Sequence, residues 1–253
     1  MINVFLFKSC TNLANTDTTD MKKQLWATFL MMGLAFHAAA QTQYQNTGWF
    51  MFLNNTKFND KWGLQFDAQF RSVDDWKYVR NTLVRPALQY FINKNNNVAL
   101  GYLWQTTQTQ LNGTRNYLSE HRIFEQYIYT HNLGQISASH RFRIEQRFIG
   151  REFDSAFAQR FRYFFRFIQP LQKRESAFVK GAFLALQNEI FLNIQNKSET
   201  NNSFFDQNRA YLAAGYRFSK EVDLEIGYLN QAVHGLTNNT VNNVVQLALY
   251  TRF

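Results

Sequence analysis

Cysteine, proline and long apolar runs are scarce in this 253-residue chain, and each scarcity closes off a class of protein. The single cysteine, Cys10, lies in a segment that reads as lost on export, so the mature chain would carry no disulfide and no thiolate for redox chemistry or metal ligation. Lys8 and Ser9 precede it where a lipidation site needs small apolar residues. Two prolines and eleven glycines exclude a collagenous or low-complexity chain. Beyond residue 40 there is no block of about 20 apolar residues, which a helix would need to cross a hydrocarbon core roughly 30 Å thick. No histidine pair has metal-ligand spacing, no glycine-rich loop could cradle phosphate, and the acidic residues are too scattered for a calcium loop. The expectation is therefore no cofactor and no metal.

Aromatic residues are abundant: 26 Phe, 12 Tyr and 5 Trp make up 17% of the chain. The mean hydropathy is nevertheless -0.39. A chain both aromatic and polar on average must separate the two characters finely along its length, and residue-by-residue alternation does so. Lys and Arg number 27 against 18 Asp and Glu, a formal charge of +9. A nucleic-acid-binding chain would cluster its cations on one element. Here most arginines alternate with aromatics inside strand-like segments, so no nucleic-acid partner is expected.

Residues 21–43, MKKQLWATFLMMGLAFHAAAQTQ, have the three parts of a secretory leader in order. Lys22 and Lys23 supply charge, Leu25 to Phe36 the apolar stretch, and Ala38, Ala39 and Ala40 the small residues of a cleavage site. Cleavage is expected between Ala40 and Gln41. Residues 1–20 fit no part of this signal. They read as a non-native prefix with Met21 as the start, or as an extended n-region with Met1 as the start. The domain reading is 1–20 prefix, 21–40 signal peptide and 41–253 mature domain.

Strict period-two alternation appears first in Trp62–Arg71. Trp62, Leu64, Phe66, Ala68 and Phe70 oppose Gly63, Gln65, Asp67, Gln69 and Arg71, which on a pleated strand puts every apolar side chain on one face. The pattern recurs in Val98–Thr106, Ile136–Phe148, Gln159–Gln169, Glu221–Gln231 and Val244–Phe253. It is weaker in Thr82–Ile92, Arg122–Thr130, Phe178–Leu192 and Asn208–Phe218. Pro86 is awkward in a central ladder, because it has no N–H to donate. The links read as alternating too: short turns such as Asn59–Lys61 and Asn93–Asn97, then longer polar links such as Thr107–Ser119 and Asn193–Asp206. Together with aromatics near the segment ends and a terminal Phe253, this predicts an all-β, closed, antiparallel transmembrane barrel of about 10–12 strands in a bacterial outer membrane. A soluble sandwich or lipocalin, with its charged face toward water, is the rival. Ten strands form a consistent set from Trp62 onward. Trp49–Lys57 would be an eleventh, an atypical odd number that calls for a twelfth partner or for packing against the barrel.

The runs GWFMFLNN (Gly48–Asn55), RPALQY (Arg85–Tyr90), RFRIEQRF (Arg141–Phe148), NEIFLN (Asn188–Asn193) and GYLNQ (Gly227–Gln231) resemble the DUF2490 family across nearly all of the mature chain. The resemblance implies an uncharacterised outer-membrane barrel of Bacteroidetes-type bacteria, and it supplies no catalytic residues.

The candidate site is an arginine ladder. Arg141, Arg143, Glu145 and Arg147 lie on one strand, with Arg160, Arg162 and Arg166 on the next. Paired antiparallel, their charged faces meet inside the barrel. The functional reading is a positively lined constriction for a small anionic solute. The bland alternative is a fixed network in which Glu145, Glu125, Asp67, Glu189, Asp223 and Glu225 neutralise the arginines and fill the interior, as side chains fill barrels of about eight strands. The chain therefore reads as a structural or narrow-pore protein rather than an enzyme, with membrane lipid and the barrel-assembly machinery as its other partners. A lipid-modifying hydrolase is the alternative from another class. Ser119 and His121 are its only testable pair, since Ser139 and His140 point to opposite faces.

Overall fold

The computed structural model describes residues 42–111, 113–172 and 178–253. The prefix, both candidate start residues, Cys10 and the Ala40/Gln41 cleavage point lie outside the described residues, as does part of the Gln172–Ser176 turn.

Eleven strands form one closed barrel: β1 (Thr42–Lys57), β2 (Trp62–Ser72), β3 (Val79–Phe91), β4 (Asn96–Leu111), β5 (Thr114–Leu133), β6 (Ile136–Gly150), β7 (Ser155–Pro170), β8 (Gly181–Gln195), β9 (Phe205–Arg217), β10 (Val222–Val233) and β11 (Asn239–Arg252). Only short 3-10 turns at Asp74–Trp76 and Lys197–Glu199 interrupt the β structure among the described residues. Consecutive strands pair antiparallel as hairpins, in a register that keeps alternate residues on one face. Glu145 stands opposite Arg160, and Leu100 opposite Glu125.

The expected all-antiparallel closure needs one correction. A meander with an odd number of strands begins and ends in the same direction, so β1 and β11 close the barrel in parallel, from Thr42 opposite Asn239 to Asn55 opposite Arg252. The Trp49–Lys57 segment thus has a full place in the barrel between β2 and β11, with no twelfth strand among the described residues. The seam continues to the last residue: Phe253 N–H donates to the Asn55 carbonyl at 2.8 Å, and Lys57 N–H donates to the Phe253 carbonyl at 2.6 Å. Every strand is bonded on both sides, so the sheet has no free edge.

Pro86 is accommodated within β3. The β3–β4 ladder passes from Val84 opposite Trp104 to Ala87 opposite Gly101, skipping Arg85 and Pro86, where the ring nitrogen has no proton to give.

The expected contrast between short turns and long loops is also corrected. At the rim bearing Phe253 the connections are 58–61, 92–95, 134–135, 171–180 and 218–221; at the opposite rim they are 73–78, 112–113, 151–154, 196–204 and 234–238. The Thr107–Ser119 link is mostly strand, paired from Thr107 opposite Leu118 to Leu111 opposite Thr114. Polar residues had suggested a loop, but the ladder continues because its backbone bonds do not depend on side-chain polarity.

The alternation sorts the two faces as expected. Phe161, Tyr163, Phe165 and Phe167 of β7 point outward while Arg160, Arg162 and Arg166 are buried inside. The outer face is apolar around the barrel, with Leu100, Leu212 and Ile226 each 58% exposed. The interior holds most of the charge and two apolar clusters. One comprises Trp49, Phe183, Ala185, Tyr211, Ala213, Leu229 and Val244, and the other Leu83, Ala87, Ala99, Leu103 and Phe124. Glycine makes room for two inward rings. A Cβ on Gly101 would collide with the Phe124 ring and lie 2.8 Å from the Ala87 Cβ; one on Gly215 would collide with the Phe183 ring and lie 2.8 Å from the Glu225 Cγ.

Candidate functional site: an arginine-rich lumen

On β6 and β7 every second residue enters the lumen, and the register sets Arg143 directly opposite Arg162. Like charges so placed repel unless something comes between them. Glu145 does this. Its side chain is fully buried, with Arg160 at 2.6 Å, Arg143 at 3.7 Å, Arg122 at 3.8 Å and Arg162 in direct contact. Arg162 also donates to Glu189 at 2.6 Å, which accepts from Arg141 at 2.6 Å. Glu120 accepts from Arg122 and Arg147, each at 2.7 Å. Asp206 closes the far side, accepting from Arg160 at 2.6 Å. Gln126 accepts from the Arg143 Nε at 3.0 Å and donates to Gln65 at 2.9 Å, carrying the network to β2.

Of the seven candidate residues, Arg141, Arg143, Glu145, Arg147, Arg160 and Arg162 therefore form one connected network. Arg166 also points inward but stands apart, bonded to Glu225 and to Gln187 at 2.8 Å. Among the proposed neutralising carboxylates, Asp67 pairs with Arg85 at 2.8 Å, and Asp223 with Arg217 at 2.8 Å and with Arg252. Glu125 needs correction. It lies on the outer face, where Gln146 donates to it at 3.0 Å, because the parity of β5 puts its neighbours Phe124 and Gln126 inside.

Sequence reasoning missed Glu120, Arg122 and Asp206, which sit on strands where the alternation is blurred, although the parity of Arg122 with the buried Gln126 would have placed it. It also missed Arg71 and Arg209. Among the described residues the lumen collects twelve arginines (Arg71, Arg85, Arg122, Arg141, Arg143, Arg147, Arg160, Arg162, Arg166, Arg209, Arg217 and Arg252) against seven carboxylates (Asp67, Glu120, Glu145, Glu189, Asp206, Asp223 and Glu225). Arg71 and Arg209 pair with no carboxylate among the described residues. Their guanidinium groups bond to Gln69 and Gln207 and stack on Trp49, with carbon-to-centroid distances of 4.0 and 5.2 Å.

Two cavities occupy the lumen. One, of about 630 Å³, lies toward the rim bearing Phe253, where Phe178, Lys220 and Arg252 border it. The other, of about 220 Å³, lies toward the opposite rim and is almost wholly polar, bordered by Arg71, Arg122, Arg147, Arg160, Glu120 and Asp206 among others. Arg85, Arg162 and Arg209 border both, so three guanidinium groups form the partition.

On the outer face, the His121 Nδ1 is hydrogen-bonded to the Tyr102 hydroxyl. Ser119 lies on the same face of β5 as His121. His140 bonds to the Tyr163 hydroxyl at 3.0 Å within an aromatic patch that includes Tyr129, His131 and Phe167. No group of three or more His, Cys, Asp and Glu placed to hold a metal occurs among the described residues.

The family model described as "Protein of unknown function (DUF2490)" matches residues 46–242. A solved NanC porin aligns at 10% sequence identity and a TM-score of 0.48, covering 78% of this chain and 93% of the porin chain. No curated protein matches.

Proposed function

The chain belongs to the DUF2490 family, and from that premise we propose that it is a narrow outer-membrane channel that prefers small anions. One observation carries this reading: the partition between the two cavities is built from Arg85, Arg162 and Arg209, in a lumen where arginines outnumber carboxylates. Rings of cationic side chains favour anions in pores. A barrel of about eight strands is filled by its side chains and one of about 16–18 leaves an open aqueous channel. Eleven strands, with cavities on both sides of a guanidinium layer, fit a constricted passage.

The outer-membrane setting rests on an inverted distribution of side chains. Leucines, isoleucines and aromatic rings face outward while most carboxylates and guanidinium groups are enclosed, and a closed sheet presents no free edge to lipid. The leader would direct export with cleavage near Ala40/Gln41, the barrel-assembly machinery would insert the strands, and lipid would cover the outer face. Planar-bilayer recording of refolded protein across a KCl gradient tests the function. Small steps whose reversal potential shifts toward that of chloride are expected, with the shift reduced in Arg209→Gln. Cation preference, or silence from correctly folded protein, would reject it.

A further inference from the structure

A channel for fully hydrated inorganic anions has no need of an apolar wall, yet the larger cavity has one. Trp49, Met51 and Leu53 of β1 and Leu229 of β10 border it on one side, and Phe164 and Ile168 of β7 border it across the lumen. Apolar surface left against water costs roughly 25 cal/mol per Å². A solute with an apolar body would remove that cost while its charge meets an arginine.

The cavity volumes point the same way. The smaller polar cavity, about 220 Å³, suits a small anion or an anionic head group. The larger one, about 630 Å³, lies within the roughly 300–1,000 Å³ typical of sites that enclose organic ligands. Arg209 stands at their junction. Its guanidinium lies 4.6 Å from the Phe191 ring and 5.2 Å from Trp49, donates to Gln207 at 3.1 Å, and meets no carboxylate among the described residues. Its charge is held in place by rings; Glu189, its cross-strand neighbour, makes its salt bridges to Arg141 and Arg162 instead.

We infer that the larger cavity binds an amphipathic organic anion, with an apolar body between Trp49, Met51 and Leu53 on β1 and Phe164 on β7 and a single carboxylate, sulfate or phosphate on Arg209. As a statement about what the barrel transports, this rests on the channel reading; as a statement about binding, it stands without it.

The test uses the refolded barrel in a zwitterionic detergent and follows Trp49, which faces the cavity, while Trp62, Trp76 and Trp104 are exposed elsewhere. The probes are 2-naphthoate, the neutral alcohol and the cationic amine with the same ring, and inorganic phosphate. The expected result is a saturable change in Trp49 emission with 2-naphthoate, at an affinity at least tenfold above that of the other three. That preference should fall about tenfold in Arg209→Gln, and the naphthoate-to-phosphate ratio should fall in Met51→Gln. The inference is overturned if 2-naphthoate binds no better than phosphate or the neutral alcohol, or if Arg209→Gln folds and binds it unchanged. Anion conductance without this preference would leave the channel reading standing and remove the solute class. The preference without conductance would do the reverse.

Discussion

The lumen has two unlike sides. Across β5, β6 and β7 the inward positions Glu120, Arg122, Arg141, Arg143, Arg147, Arg160 and Arg162 are charged, and Glu145 is enclosed by four arginines. Across β1 and β8–β11 the inward positions include Trp49, Phe183, Ala185, Tyr211, Ala213, Leu229 and Val244, which pack on one another. Both sides share one outer face of aliphatic and aromatic residues. The barrel therefore demands apolarity only on the outside. What each strand presents within is free to vary, and here it is divided between binding charge and binding apolar surface.

Four substitutions would break or sharpen that contrast. Glu145→Gln should have the largest effect, because removing one partner from a buried ionic cluster costs about 3–5 kcal/mol. Urea unfolding in detergent measures it, and a loss under about 1 kcal/mol would mean that water already screens the cluster. Phe183→Ala tests the other side. Emptying a fully buried ring position there should cost about 3 kcal/mol, with cavity and transfer terms adding. It should also leave anion selectivity intact, whereas Glu145→Gln should raise it. Gly101→Ala sets a methyl group against Phe124 and should cost about 1–3 kcal/mol by overpacking. The smallest effect has the opposite sign. Glu125→Leu removes the carboxylate from the outer face and should stabilise the barrel in lipid by about 1 kcal/mol, below the roughly 2–4 kcal/mol that a cation costs at mid-bilayer. Destabilisation there would show that the hydrogen bond from Gln146 outweighs the cost of a carboxylate against hydrocarbon.

The same contrast explains what could be read from the residues. On β2, β6, β7 and β10 most of the charged or polar residues point inward, so the alternation is clean and the segments match the strands to within a few residues. On β8 both faces are largely apolar, with Phe183, Ala185 and Phe191 inside and Leu184, Leu186 and Ile190 outside, so period two fades. β1 is the extreme case. Trp49, Met51 and Leu53 face the cavity while Phe50 and Phe52 face outward, and the segment reads as an apolar run without a side. Its pairing with β11 is set by closure across the whole chain, which local pattern does not contain. The arginine ladder was legible because β6 and β7 alternate strictly. The partition was not, because Arg85 and Arg209 come from blurred strands and meet Arg162 only through closure of the barrel.

The central claim, rings toward lipid and charge enclosed, is tested most directly by quenching single-tryptophan variants in bilayers of brominated phospholipid. A protein retaining only Trp104 should be strongly quenched, and one retaining only Trp49 should keep its emission. Equal quenching of the two, or protection of Trp104, would contradict the account.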